Sequence, residues 1–151
     1  MPTSSAPDLP LLLDTHVWIW AAEQREDELS TRMLKLINSA SQRGSVLISV
    51  ISMWEIAMLA ERGRIVLAVD SLQWIETAAS VPGVRVIELT PRIAVGSTHL
   101  PGNPHADPAD RILMATARDA GARLVTRDRR ILQYAESTRA LAVLDASGGR
   151  R

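Results

Sequence analysis

The chain has 151 residues and balances 17 basic against 17 acidic side chains, so one domain with its own core is expected and no bulk charge excess draws it to nucleic acid. Cysteine is absent, which excludes disulfides, thiolate metal sites and a cysteine nucleophile and agrees with a reducing, cytoplasmic setting. The N-terminus lacks the basic-then-apolar pattern of a signal peptide, and no apolar run reaches the ~18 residues that span a bilayer.

Residues 1–9 are rich in Pro and Ser and are expected to be flexible, as are residues 146–151; the folded domain is placed at 10–145. Its first element is the strand "PLLLD", which closes on Asp14 and runs into the helical stretch "VWIWAAE". "STRMLKLINSASQRG" predicts a helix stopped at Gly44, "SVLIS" a strand, and "SVISMWEIAMLAERG" a helix stopped at Gly63. "DSLQWIETAAS" reads as a helix and "VRVIEL" as a strand; "DPADRILMATARDAG" then predicts a helix ending at Gly121. "ARLVT" and "ALAVLD" complete five strand candidates. Strands alternating with helices pair in parallel and are covered on both faces, which predicts a three-layer α/β/α sandwich around a mainly parallel sheet.

In an open parallel sheet, chemistry gathers outside the carboxyl ends of the strands. Asp14 closes the first strand, and Asp128 lies two residues past "LVT". Glu55 follows the strand "VLIS"; Ser52 and Glu55 have capping-box spacing, but Ser49 is the better N-cap, which leaves Glu55 in the second turn among apolar neighbours. An acid in such company needs a reason. Asp107 before Pro108 reads as N-cap and first helical residue, with Asp110 in the first turn, where the helix dipole favours an anion.

Each acid alone has an ordinary account. Asp14, Glu55, Asp110 and Asp128 together occupy four positions that the predicted topology brings to one sheet edge, where carboxylates repel unless a cation neutralises them. Oxygen-only ligation without a spaced His pair selects Mg2+ or Mn2+ over zinc and points to phosphodiester chemistry, in which such ions activate water and neutralise the leaving oxygen.

"LLLDTHVWIW", "SMWEIAM", "DPADRILMATA" and "LVTRDRRI", in this order from Leu11 to Leu144, resemble the PIN domain, and more closely its VapC branch, the toxins of bacterial toxin–antitoxin pairs. The resemblance implies a parallel-sheet sandwich and Mg2+- or Mn2+-dependent endoribonuclease activity. It assigns Asp14, Glu55, Asp110 and Asp128 as catalytic metal ligands and Asp107 as a residue supporting them. It further implies that Thr126 orients a neighbouring carboxylate or a metal-bound water, and that Arg111 fixes a carboxylate or reaches phosphate. Arg127, in the cluster with Arg129 and Arg130, is a second candidate for phosphate, since Arg forks match its oxygens. Ala109 stands where the family's motif usually has an aromatic, a change expected to alter the substrate surface. "PGNPHADP" is expected to loop over the cleft, with His105 solvated; His16 and His99 carry less support still.

The resemblance also implies a homodimer and a small VapB-like antitoxin filling a groove near the active site. "VWIWAA" and "ISMWEIAMLA" are apolar nearly all round, so they are either core helices or surfaces covered by another chain; helices starting near Val17 and Ile51 are expected to line that groove. An aspartyl-phosphate enzyme is disfavoured because position 16 is His rather than a second Asp, and a receiver domain because the single lysine, Lys35, sits in a helix pattern. The remaining alternative is a non-catalytic module that binds metal or RNA without turnover.

Overall fold

A computed structural model describes residues 8–102 and 104–147; residues 1–7 and 148–151, which make up most of the two expected flexible ends, lie outside it. The strands are β1 (Leu11–Leu13), β2 (Val46–Ser49), β3 (Val84–Ile87), β4 (Arg123–Thr126) and β5 (Val143–Asp145). They form one sheet in the order β3-β2-β1-β4-β5, every neighbouring pair parallel. The helices are α1 (Thr15–Ala22), α2 (Thr31–Gln42), α3 (Val50–Glu61), α4 (Ser71–Ala79), α5 (Pro91–Gly96), α6 (Pro108–Ala120) and α7 (Arg129–Thr138).

The central strands bury both faces, which is why they read as unbroken apolar runs rather than alternations. Leu11 and Leu13 of β1, Val46 and Ile48 of β2 and Val125 of β4 enter one core with α1, α2 and α4. Leu12, Leu47 and Leu124 point the other way, into a second core with α5, α6 and α7. The expected three layers are thus present. The packed chain reaches past residue 145: Ala146 is fully buried and its amide donates to the Thr126 carbonyl at 2.8 Å.

Two helices exceed the sequence reading. α5 is six residues long, too short to show a helical period, and announces itself only by the Thr90 cap and Pro91 in its first turn. α7 begins directly after β4 and buries Ile131, Tyr134 and Ala135, an i, i+3, i+4 face hidden behind the arginine cluster that opens it. Gly121 ends α6 as expected, with φ +63° in the left-handed region.

α1 and α3 share an apolar composition but not a fate. α1 buries Val17, Trp18, Ile19 and Ala21 and is a core helix. α3 buries only Ser52 and Ile56, and Trp54 is 56% exposed. Among the described residues no helix is long and apolar enough to cross a membrane.

Candidate active site

The carboxyl ends of β1 and β4 lie side by side, with Leu13 paired to Val125. Asp14, one residue past β1, is the N-cap of α1: Oδ1 accepts from the Thr15 amide at 2.7 Å. Its Oδ2 accepts from Thr126 Oγ1 at 2.6 Å, and the same hydroxyl accepts the Asp128 amide at 3.0 Å. The fully buried Thr126 therefore ties two strand ends into one rigid corner. Asp128 caps α7 with Oδ1, which accepts from the Arg130 and Ile131 amides at 2.8 and 3.3 Å. Its Oδ2 is left for the cleft, where Arg130 lies 3.7 Å away.

Glu55 arrives from β2. Ser49 caps α3 by accepting the Ile51 amide at 3.1 Å, so Glu55 falls in the second turn as the spacing predicts. Ser52 is not its capping partner. Instead Thr15 Oγ1 stands 3.0 Å from the buried Ser52 hydroxyl and 2.6 Å from Glu55 Oε1, linking α1 to α3. Asp110 arrives from α6, whose N-cap Asp107 accepts the Asp110 amide at 3.0 Å.

Asp14, Glu55, Asp107, Asp110 and Asp128 all line one open cleft of about 730 Å3, with Arg127 and Arg130 on its rim. Their electrostatics record the crowding. Burial raises the Asp14 carboxyl above the usual range despite its bonds from Thr126 and Thr15. Burial pushes Glu55 up to about 7, its bond from Thr15 opposes this, and the neighbouring Asp14, Asp110 and Asp107 add to the rise. Asp110 is pushed up to about 6 by burial, opposed by its bond to His105 and reinforced by Asp107, Asp14 and Asp128. Half-buried carboxylates held by hydroxyls suit a hard divalent cation, which would supply the missing positive charge.

The arginines divide. Arg127 stacks its guanidinium 4.1 Å from the Trp20 ring and pairs with Glu28 at 3.2 Å at the cleft mouth. Arg111 turns away from the cleft and donates to the carbonyls of His105, Ser97 and Pro104. Three contributors escape the sequence reading. Thr15 carries no motif of its own, its only signal being that it follows the strand-end Asp, and Ser52 shows in the sequence only as a capping-box candidate, not as a partner of Thr15. His105, expected to be solvated, lies with Nε2 2.7 Å from Asp110 Oδ2. Donor atoms of His105, Asp110 and Asp128 lie within 4.8 Å of one another.

A parallel sheet with an acidic cleft at its carboxyl edge defines a class, and the PIN domain family model matches residues 11–137. The chain belongs to the PIN-domain family, whose nucleases use divalent metal. Ribonuclease VapC22 of Mycobacterium tuberculosis is 40% identical over 125 residues, 82% of this chain and 91% of that protein. The fold is shared with DNA-bound VapBC from Salmonella typhimurium, at TM-score 0.65 and 16% identity, and with VapBC2 from Rickettsia felis bound to promoter DNA, at 0.67 and 12%. Each of these likenesses covers 91% of this chain and 98% of the other.

Proposed function

We propose that the chain is a Mg2+- or Mn2+-dependent endoribonuclease acting in the cytoplasm as the toxin of a toxin–antitoxin pair. One observation carries this reading: acids from four separate segments, Asp14, Glu55, Asp110 and Asp128, open on the same cleft. The likeness to Ribonuclease VapC22 names the reaction.

In this reading those four carboxylates hold the cation, and Asp107 supports Asp110 through its amide. A divalent ion bound there supplies Lewis acidity toward water and neutralises charge on the leaving oxygen. The protein's own part is order: Thr126 fixes Asp14 and Asp128 in one corner, and Thr15 fixes Glu55. Arg127 and the exposed Arg130 draw the RNA phosphates to the rim. Arg111, spent on carbonyls, serves the loop instead.

The partner is a small VapB-like antitoxin, and the chain itself is a homodimer. The apolar, poorly covered α3 with exposed Trp54 supports a face closed by another chain. The purified chain should cleave single-stranded or looped RNA with Mg2+ or Mn2+ and fall silent in EDTA. Metal binding with no RNA product under either ion would replace the nuclease by a non-catalytic module. Co-expression with the adjacent small reading frame should give a complex on a sizing column; separate elution removes the antitoxin assignment.

A further inference from the structure

His105 sits in a loop that the fold fastens at several points. Its Nε2 lies 2.7 Å from Asp110 Oδ2, and both side chains are only 13% exposed. Arg111, next to Asp110 on α6, donates Nε to the His105 carbonyl at 3.2 Å, Nη1 to the Ser97 carbonyl at 3.2 Å and Nη2 to the Pro104 carbonyl at 3.3 Å. Tyr134 of α7 donates its hydroxyl to the Pro101 carbonyl at 2.5 Å. Asp110 thus receives the imidazole while its neighbour holds the same residue's backbone.

The hydrogen-bond network says what the imidazole does there. A 2.7 Å contact between nitrogen and carboxylate requires a proton between them. His105 Nδ1 is buried without a partner among the described residues. A proton on Nδ1 would be a buried donor lacking an acceptor, the rarer and costlier kind of orphan, so the network assigns the proton to Nε2. A nitrogen that donates offers no lone pair to a cation. Histidines that ligate metals also hold their second nitrogen in a hydrogen bond, which Nδ1 lacks.

We propose that His105 is a positioning residue: its Nε2–H grips Oδ2 of Asp110 and leaves Oδ1 for the cation, while Arg111 keeps the loop seated. This rests on the reading of the cleft as a divalent cation site. It makes the loop residues Pro104 and His105, which precede Asp110 by six and five positions and are not among the four acids, determinants of metal affinity. The competing arrangement makes His105 a ligand alongside Asp110 and Asp128, whose donor atoms are close enough for it.

Two measurements decide. Long-range 1H–15N spectra of the metal-free chain in alkaline buffer should show the His105 proton on Nε2; a proton on Nδ1 overturns the proposal, and this result does not depend on any cation. Mn2+ titration followed by electron paramagnetic resonance should find His105→Ala about tenfold weaker than the unaltered chain, within the range for residues that support a ligand. His105→Gln, whose amide N–H reaches the place of Nε2–H, should stay within about twofold. Equal affinity in all three, or equal loss in both variants, overturns the positioning role. So does a directly bound 14N signal in spin-echo spectra of the Mn2+ complex that disappears in His105→Ala. If the unaltered chain fails to bind Mn2+, the cation site itself falls, and this proposal with it.

Discussion

The two ends of this sheet hold their charges in opposite ways. At the amino ends of β1 and β4, Asp8, Arg32, Lys35 and Arg43 surround a shallow depression and stand in water; Arg43 and Asp8 approach only to 3.9 Å. At the carboxyl ends, Asp14, Glu55 and Asp110 are pressed together, partly withdrawn from solvent, and raised above their ordinary titration range. Solvated charges of mixed sign cost the fold little. Like charges half-buried in one cleft cost stability, and a chain keeps such an arrangement where function needs it. The comparison teaches where to cut: substitutions at the carboxyl edge should separate activity from stability, and those at the amino edge should touch neither.

The largest effect belongs to the acids. Asp14→Ala and Asp128→Ala should each lower RNA cleavage by more than about a hundredfold, beyond what supporting residues contribute, while circular dichroism shows a folded chain. Full activity in both would remove the metal assignment. Glu55→Gln sharpens the contrast because it should lose activity and yet melt at a higher temperature than the parent in metal-free alkaline buffer. The amide keeps the contact with Thr15 Oγ1 and removes a carboxylate that its surroundings disfavour.

Thr126→Val comes next. It preserves shape but takes away the hydroxyl that binds Asp14 Oδ2 and the Asp128 amide. Two buried polar groups then lose their partner, for a cost of about 1–3 kcal/mol in denaturant unfolding. Metal affinity should drop about tenfold or more.

The fold and the four acids were legible because both depend on features that a chain displays locally. β1, β2 and β4 are buried on both faces and must be apolar runs, and each acid stands at a strand end or in a helix's first turns, where spacing can be counted. The supporting residues were legible only in part: the family resemblance pointed to Asp107 and Thr126, but no local pattern pointed to Thr15 or showed which groups these side chains meet. Thr15 reaches Glu55 across 40 residues, and Thr126 reaches Asp14 across 112, through pairings that exist only once β1 lies between β2 and β4. His105 illustrates the same limit: a histidine among Pro, Gly and Ala reads as solvated until Arg111 is seen holding its carbonyl. α7 was hidden for a different reason, since the arginines at its start mask a short apolar face.

The pH response is a smaller effect with a fixed sign. The Glu55 carboxyl stands at about 7 in the folded chain against 4.5 ordinarily, and that of Asp110 at about 6 against 3.8. Both are raised, so the folded state binds these protons more tightly than the unfolded state does. Metal-free stability is therefore fully present at acid pH and declines as pH rises from about 4 toward 7. Saturating Mg2+ should cancel the decline, because the cation replaces the protons. Thermal melts across that window, with and without Mg2+, check both statements; a metal-free melting temperature that rises from pH 5 to 7 would contradict the crowding.

The smallest effect is the control that gives the others meaning. Arg32→Ala and Lys35→Ala alter exposed side chains on α2 at the far edge, neither of which caps a helix or forms an ion pair among the described residues. Each should change stability by no more than about 0.5 kcal/mol, and cleavage at fixed salt should stay at the parent level. If either lowers the apparent affinity for RNA while sparing the rate at saturation, the amino edge takes part in holding the nucleic acid. The division between a working edge and a solvated one would then be redrawn: the acids would remain the place of chemistry, and the RNA path would extend around the sheet onto α2.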